Sequence, residues 1–172
     1  MIYRYLFFTI ILFTCFSCKN KTEKATKNKE LFNHYYFIRH AEKDRSNPDD
    51  DNPNLTNEGM LRAEKLSTIL NDVNLDAVYS TNYNRTLQTA KPTANKNDIE
   101  ITIYKPSELD VTKILKAHKN ILVVGHSNTI PQLVNTIIKN DIYKDIEDNN
   151  FGNLYHITVT NGQVSGYTLT SY

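Results

Sequence analysis

The sequence contains no tryptophan, and its two cysteines, Cys15 and Cys18, both fall within the first eighteen residues. Everything after Cys18 is therefore without thiols, which excludes a disulfide framework, a cysteine metal site and a cysteine nucleophile from the rest of the chain. Its five histidines do not recur at the i, i+4 spacing of a zinc-binding helix. No apolar run approaches the length of about 20 residues that a membrane-spanning helix needs. A formal net charge of +1 leaves no basic surplus of the kind that nucleic-acid binding requires. What is present suits a globular protein: 7 Phe and 11 Tyr supply core bulk, and 172 residues suggest a single domain.

The near-neutral charge conceals an asymmetry. Arg4 precedes the short apolar run Leu6 to Phe13, and Cys15-Phe16-Ser17-Cys18 follows. This arrangement resembles the signal peptide of a bacterial lipoprotein. The resemblance implies a signal over 1–17, cleavage before Cys18 and a lipid on that cysteine, with Cys15 as the alternative. Residues 18–33 then read as a flexible tether. Lys19 to Asn33 carries five Lys against two Glu and lacks apolar patterning. The domain, residues 34–172, has 14 Lys plus Arg against 17 Asp plus Glu. The expected location is the cell envelope, lipid-anchored on the periplasmic or cell-surface side.

Within the domain, His34-Tyr35-Tyr36-Phe37-Ile38 reads as a short buried strand that ends in Arg39-His40. Asp44 to Asn54 is an acidic loop without the ligand alternation and central glycine of a calcium site. Thr56 is placed to cap a helix running to about Asn71, with Leu55 and Met60 as a hydrophobic staple. A strand over Leu75 to Ser80 leads into a helix capped by Thr81 or Asn82 and kinked or ended at Pro92. Arg85 lies in its first turn. A third strand is expected over Ile99 to Tyr104 and a helix over Glu108 to His118. Ile121 to Gly125 reads as a central buried strand. It ends at His126, before a helix from Ile130 to Lys139. Two alternating strands around Asn161-Gly162 form a hairpin.

This order predicts an α/β domain: a three-layer α/β/α sandwich with a mostly parallel central sheet and a C-terminal β-hairpin. In such a sheet Arg39-His40, Ser80 with Arg85, and Gly125-His126 reach the same edge, the edge at which α/β proteins bind ligands. Two arginines and two histidines on an acidic domain call for an anionic ligand. A serine hydrolase is a poor fit, because the elbow in Gly125-His126-Ser127-Asn128-Thr129 has Thr where the tight turn needs Gly.

Five blocks resemble the histidine phosphatase superfamily, also called phosphoglycerate mutase-like: Arg39-His40-Ala41-Glu42, Leu55-Thr56-Asn57-Glu58-Gly59, Tyr79-Ser80-Thr81, Arg85-Thr86-Leu87-Gln88-Thr89-Ala90 and Val123-Val124-Gly125-His126. The resemblance implies a phosphomonoester hydrolase in which His40 is the nucleophile and forms a phosphohistidine. Arg39, Arg85 and His126 would bind the phosphoryl group, and neither metal nor other cofactor is called for. The substrate would be a small phosphorylated molecule, and the partners would include a membrane, through the lipid, but no nucleic acid. For the proton donor the resemblance points to Glu108, with Asp110 nearly as well placed. A mutase-type phosphotransferase is the alternative activity, though the domain has little room for a mutase's insertions. A phosphate-binding lipoprotein without turnover is the non-enzymatic alternative.

Overall fold

The computed structural model describes residues 32–117 and 119–172. The expected signal peptide, the two candidate lipid-bearing cysteines and most of the tether lie outside the described residues. Among those described, no helix is long and apolar enough to cross a membrane.

Six strands form one sheet: β1 (Phe32–Arg39), β2 (Ala77–Ser80), β3 (Ile101–Ile103), β4 (Ile121–Gly125), β5 (Asn153–Thr160) and β6 (Gln163–Ser171). Their spatial order is β3-β2-β4-β1-β5-β6. β3, β2, β4 and β1 are mutually parallel, and the β5-β6 hairpin is added antiparallel to β1. Four α-helices connect the strands: α1 (Asn57–Ile69), α2 (Asn84–Lys96), α3 (Val111–Lys116) and α4 (Thr129–Ile138).

Alternation along the strands makes the sheet two-faced. Tyr35, Phe37, Ile121, Val123 and Ile157 meet Ile114 of α3 and Ile130, Val134 and Ile137 of α4. The opposite residues, Tyr36, Ile38, Val78, Leu122 and Val124, meet Leu66, Leu70, Ala90 and Ala94 on the α1/α2 side. This is the three-layer sandwich that the element order predicts. Every residue of β4 is buried, as expected of a continuous apolar strand covered on both faces. The hairpin turn is also as expected: Asn161 and Gly162 have φ of 52° and 78°, the two positive values of a type I′ turn.

Several local expectations change. β1 begins at Phe32, so it includes Phe32 and Asn33, assigned above to the tether; they pair with Thr160 and Val159 of β5. The sequence gives no hint of this because the partner strand is over a hundred residues away. Met60 is 49 % exposed, and Leu55 packs on Ala41 and Ala63. The Thr56 cap does form, accepting from Gly59 N–H at 3.1 Å.

α2 is capped neither by Thr81 nor by Asn82; its N-cap is Tyr83, without a side-chain bond. Nor does α2 end at Pro92. Thr86, Thr89 and Ala90 before the proline and Thr93 and Ala94 after it are all buried, so packing on the sheet outweighs the missing backbone bond. The third strand shrinks to three residues at the sheet edge, with Ile103 exposed. The expected helix over 108–118 divides into a 3-10 turn at Pro106–Glu108 and the short α3, because Asp110 turns extended to cap α3 through Lys113 N–H.

α1 is docked through its glycine. A Cβ on Gly59 would collide with the backbone oxygen and nitrogen of Glu42, which itself accepts the Thr56 N–H at 2.9 Å. Gly59→Ala should therefore destabilise the fold by about 1–3 kcal/mol, the usual cost of overpacking. A urea unfolding midpoint equal to that of the unaltered chain would contradict this docking.

Candidate active site

The site is assembled where parallel strands end. β1 and β4 pair so that Arg39 lies beside Gly125, and the next residue, His40, donates its N–H to Gly125 O at 2.9 Å. This bond carries the ladder one residue past the strands and brings His40 beside His126, with ring centroids 5.7 Å apart at 66°. Gly125 is needed for the approach: a Cβ there would lie 2.8 Å from the Tyr104 hydroxyl and 2.9 Å from Ile130 Cδ1.

His40 is only 4 % exposed. Its Nδ1 lies 2.7 Å from Ala41 O. A carbonyl can only accept, so Nδ1 carries the proton, and in the neutral ring Nε2 holds the free lone pair. Burial, and next Arg39, Arg85 and His126, push the His40 pKa down to about 3. The ring is neutral at pH 7.

His126 has the opposite tautomer. Its Nε2 is 3.0 Å from Thr81 Oγ1, which in turn donates to Thr86 Oγ1 at 3.1 Å. The Thr86 hydroxyl spends its proton on the carbonyls of Thr81 and Tyr83, at 2.8 and 2.9 Å. The chain ends in carbonyls, so each hydroxyl oxygen accepts from the group before it, and His126 Nε2 is the donor. Nδ1 is then the unprotonated nitrogen. Burial first, and then Arg85, Arg39 and Lys43, lower the His126 pKa to about 4.

The two arginines are held differently. Arg39, 3 % exposed, donates through Nη1 to the carbonyls of Glu147, Asp148 and Asn150 at 2.9, 3.1 and 3.0 Å. Its Nη2 meets the Asp148 carboxylate at 3.1 Å, which also binds Arg45 at 2.7 Å. Only Arg39 Nε is buried without a partner. Arg85 has no ion pair among the described residues, and its Nε and Nη1 are both buried without one. Unpaired donors of this kind are costly unless an acceptor joins them. An oxyanion supplies one.

A cavity of about 640 Å³ is lined among others by Thr81, Tyr83, Arg85, Ile103, Tyr104 and His126, but neither by Arg39 nor by His40. Its mouth is partly apolar, with Ile103 and Tyr83 exposed by 48 % and 42 %. Arg39, His40, Arg85 and His126, singled out in the sequence, are thus brought together. The Glu108 carboxylate is 64 % exposed and paired at 2.9 Å with Lys105, which itself lines this cavity. Asp110 is committed to its cap on α3. Sequence reasoning missed Thr81 as the partner of His126, although its place beside Ser80 and ahead of Arg85 was visible. It also missed the 147–151 segment around Arg39, for which the sequence carries no signal.

The model of the histidine phosphatase superfamily, branch 1, matches residues 35–106. No curated protein matches the chain. Among solved structures, the protein histidine phosphatase SixA complexed with tungstate is 16% identical, with a TM-score of 0.63, over 80% of this chain and 96% of that one. Phosphoserine phosphatase from Entamoeba histolytica, in complex with 3-phosphoglyceric acid, is 15% identical, with a TM-score of 0.56, over 80% and 98%. A mycobacterial glucosyl-3-phosphoglycerate phosphatase is 9% identical, with a TM-score of 0.57, over 82% and 98%. At these identities the structures establish the shared fold. The family match itself runs through Arg39-His40 and Arg85, and over those residues the chain is similar to the histidine phosphatase superfamily.

Proposed function

We propose that this protein is a phosphomonoester hydrolase working through a phosphohistidine on His40, without a metal ion. The observation that carries the reading is the His40 Nδ1–H bond to Ala41 O: it leaves Nε2 of the buried His40 unprotonated beside two arginines and a second histidine. His40 Nε2 attacks phosphorus in line, the bond to the leaving oxygen breaks, and phosphohistidine remains. Water then attacks phosphorus, releasing inorganic phosphate and restoring His40. Arg85 Nε and Nη1 and Arg39 Nε donate to the equatorial oxygens, where charge is spread in the transition state. The guanidinium charges supply the compensation that a metal supplies elsewhere.

His126 changes role with its charge. The dianion opposes the cationic neighbours that keep it neutral in the free protein, and so favours its protonation. Protonated, it donates from Nδ1 to the phosphoryl group while Nε2 keeps Thr81. In the same reading the N-terminal segment delivers the domain to the cell envelope, with Cys18, or Cys15, carrying the lipid.

Hydrolysis of a generic aryl phosphate tests the proposal directly. The unaltered chain should turn it over and His40→Ala should not; an inactive unaltered chain would defeat the reading. Of the two candidate acids, Glu108 is exposed and paired with Lys105, and Asp110 caps α3. Alkyl phosphates, which need a proton at the leaving oxygen, should therefore be slower in kcat/KM by roughly 10²-fold or more, the scale of general acid catalysis. Equal rates for both classes would show that a carboxyl group reaches the leaving oxygen after all.

The histidines make a separate prediction. An ordinary imidazole, with a pKa of about 6.5, is mostly protonated at pH 5, whereas His40 and His126 should remain neutral there. Nitrogen-15 NMR of the rings should show no titration between pH 8 and 5; a midpoint near 6.5 for either would be incompatible with the buried cluster. Because both folded-state values lie below the unfolded one, the unfolded chain binds more protons in the interval between them. Stability should then fall as pH drops from about 6.5 toward 4.

A further inference from the structure

An arginine that is to bind an anion must be held in place, yet a carboxylate that holds it also cancels its charge. Arg39 accepts this compromise, gripped by three carbonyls and the exposed Asp148. Arg85 does not. With no ion pair among the described residues and two buried donors unpartnered, its guanidinium lies on the ring of Tyr83, with Cζ 4.4 Å from the centroid. That same ring meets His126, centroids 5.2 Å apart and planes at 88°. Tyr83 is the N-cap of α2, two residues before Arg85, and uses no side-chain bond to cap the helix. Its half-exposed ring therefore has no capping duty. It touches both Arg85 of α2 and His126 after β4. Across the site Phe151 is its counterpart, 4.4 Å beneath Arg39 Cζ and 6.2 Å from the His40 ring centroid.

We propose that Tyr83 is a positioning residue for oxyanion binding: its aromatic ring, not its hydroxyl, holds Arg85 and His126 in register without neutralising them. This rests on the assignment of Arg85 and His126 to the phosphoryl group. The ring face attracts the guanidinium through its quadrupole and contributes no net negative charge. Stacking also leaves the in-plane N–H donors of the guanidinium free for phosphate oxygens. Phe151 makes the same contact, but Arg39 has four hydrogen bonds besides. The two rings are therefore unequal: Arg85 depends on its ring, and Arg39 does not.

The experiment is calorimetric titration of the full-length chain with inorganic phosphate, alongside aryl phosphate kinetics. Tyr83→Leu should weaken phosphate binding by about 3- to 30-fold, the range spanned by partly exposed to desolvated cation–π contacts. KM should rise with it while kcat changes less. Tyr83→Phe should restore most of that affinity, and Phe151→Leu should cost less than Tyr83→Leu. Unchanged phosphate affinity in Tyr83→Leu overturns the proposal. So does a Tyr83→Phe variant as weak as Tyr83→Leu, since the hydroxyl would then be the working group. Tyr83→Met keeps apolar bulk at the position; if neither it nor Tyr83→Leu folds, the ring is a folding element and the proposal fails. A chain that binds phosphate, loses affinity in Tyr83→Leu and hydrolyses nothing removes the hydrolase reading but leaves the role of Tyr83 standing.

Discussion

The pairing of β1 with β4 is the constraint on which the rest depends. Arg39 sits opposite Gly125, and the His40 N–H to Gly125 O bond extends the ladder to the point where both strands release their chain into loops. Side chains in a strand alternate, so a slip of one residue would turn every one of them to the other face. Here it would place Phe37 and Ile38 against the wrong helices and part His40 from His126. The register is held by burial on both sides: Val123 and Val124, like Phe37 and Ile38, are fully buried and belong to opposite cores. The position of the chemical groups is thus set by apolar packing that ends just short of them.

From that edge outward, the site is governed by the management of positive charge. Two arginines and two histidines, of which Arg39 and His40 are buried, lie together on a domain that is acidic overall. Burial and mutual repulsion keep the imidazoles neutral, and this is what makes the arrangement tolerable without a ligand. The neutral forms are then differentiated by their hydrogen bonds. Ala41 O takes the Nδ1 proton of His40, whereas Thr81 takes the Nε2 proton of His126. Two identical side chains are given opposite free nitrogens by neighbours that have no charge at all. The same economy governs Arg85, whose contact is an aromatic ring.

Much of this was legible along the chain because it is local. The apolar run Ile121 to Gly125, the Thr56 cap, the Asn161-Gly162 turn and the arginine early in α2 all follow from residues within a few positions of one another. Two other positions depend on contacts beyond the local pattern. Pro92 reads as a kink or an end, and the helix runs on past it over the sheet beneath. Glu108 reads as a residue near the third strand, and so it is, yet its side chain turns to Lys105. Proximity in sequence says which turn a carboxylate belongs to and nothing about the direction in which it points.

The sequence by itself determined the order of strands and helices, the burial of β4 and the identity of the four groups at the strand ends, since periodicity, capping and turn chemistry act over short range. Only the tertiary structure decided how those groups are held. The loop carbonyls of Glu147, Asp148 and Asn150 and the ring of Phe151 reach Arg39 from more than a hundred residues away. The first two residues of β1 join the sheet through β5 at a similar remove. Such contacts depend on how the layers close over one another, and no local pattern of residue types encodes that closure.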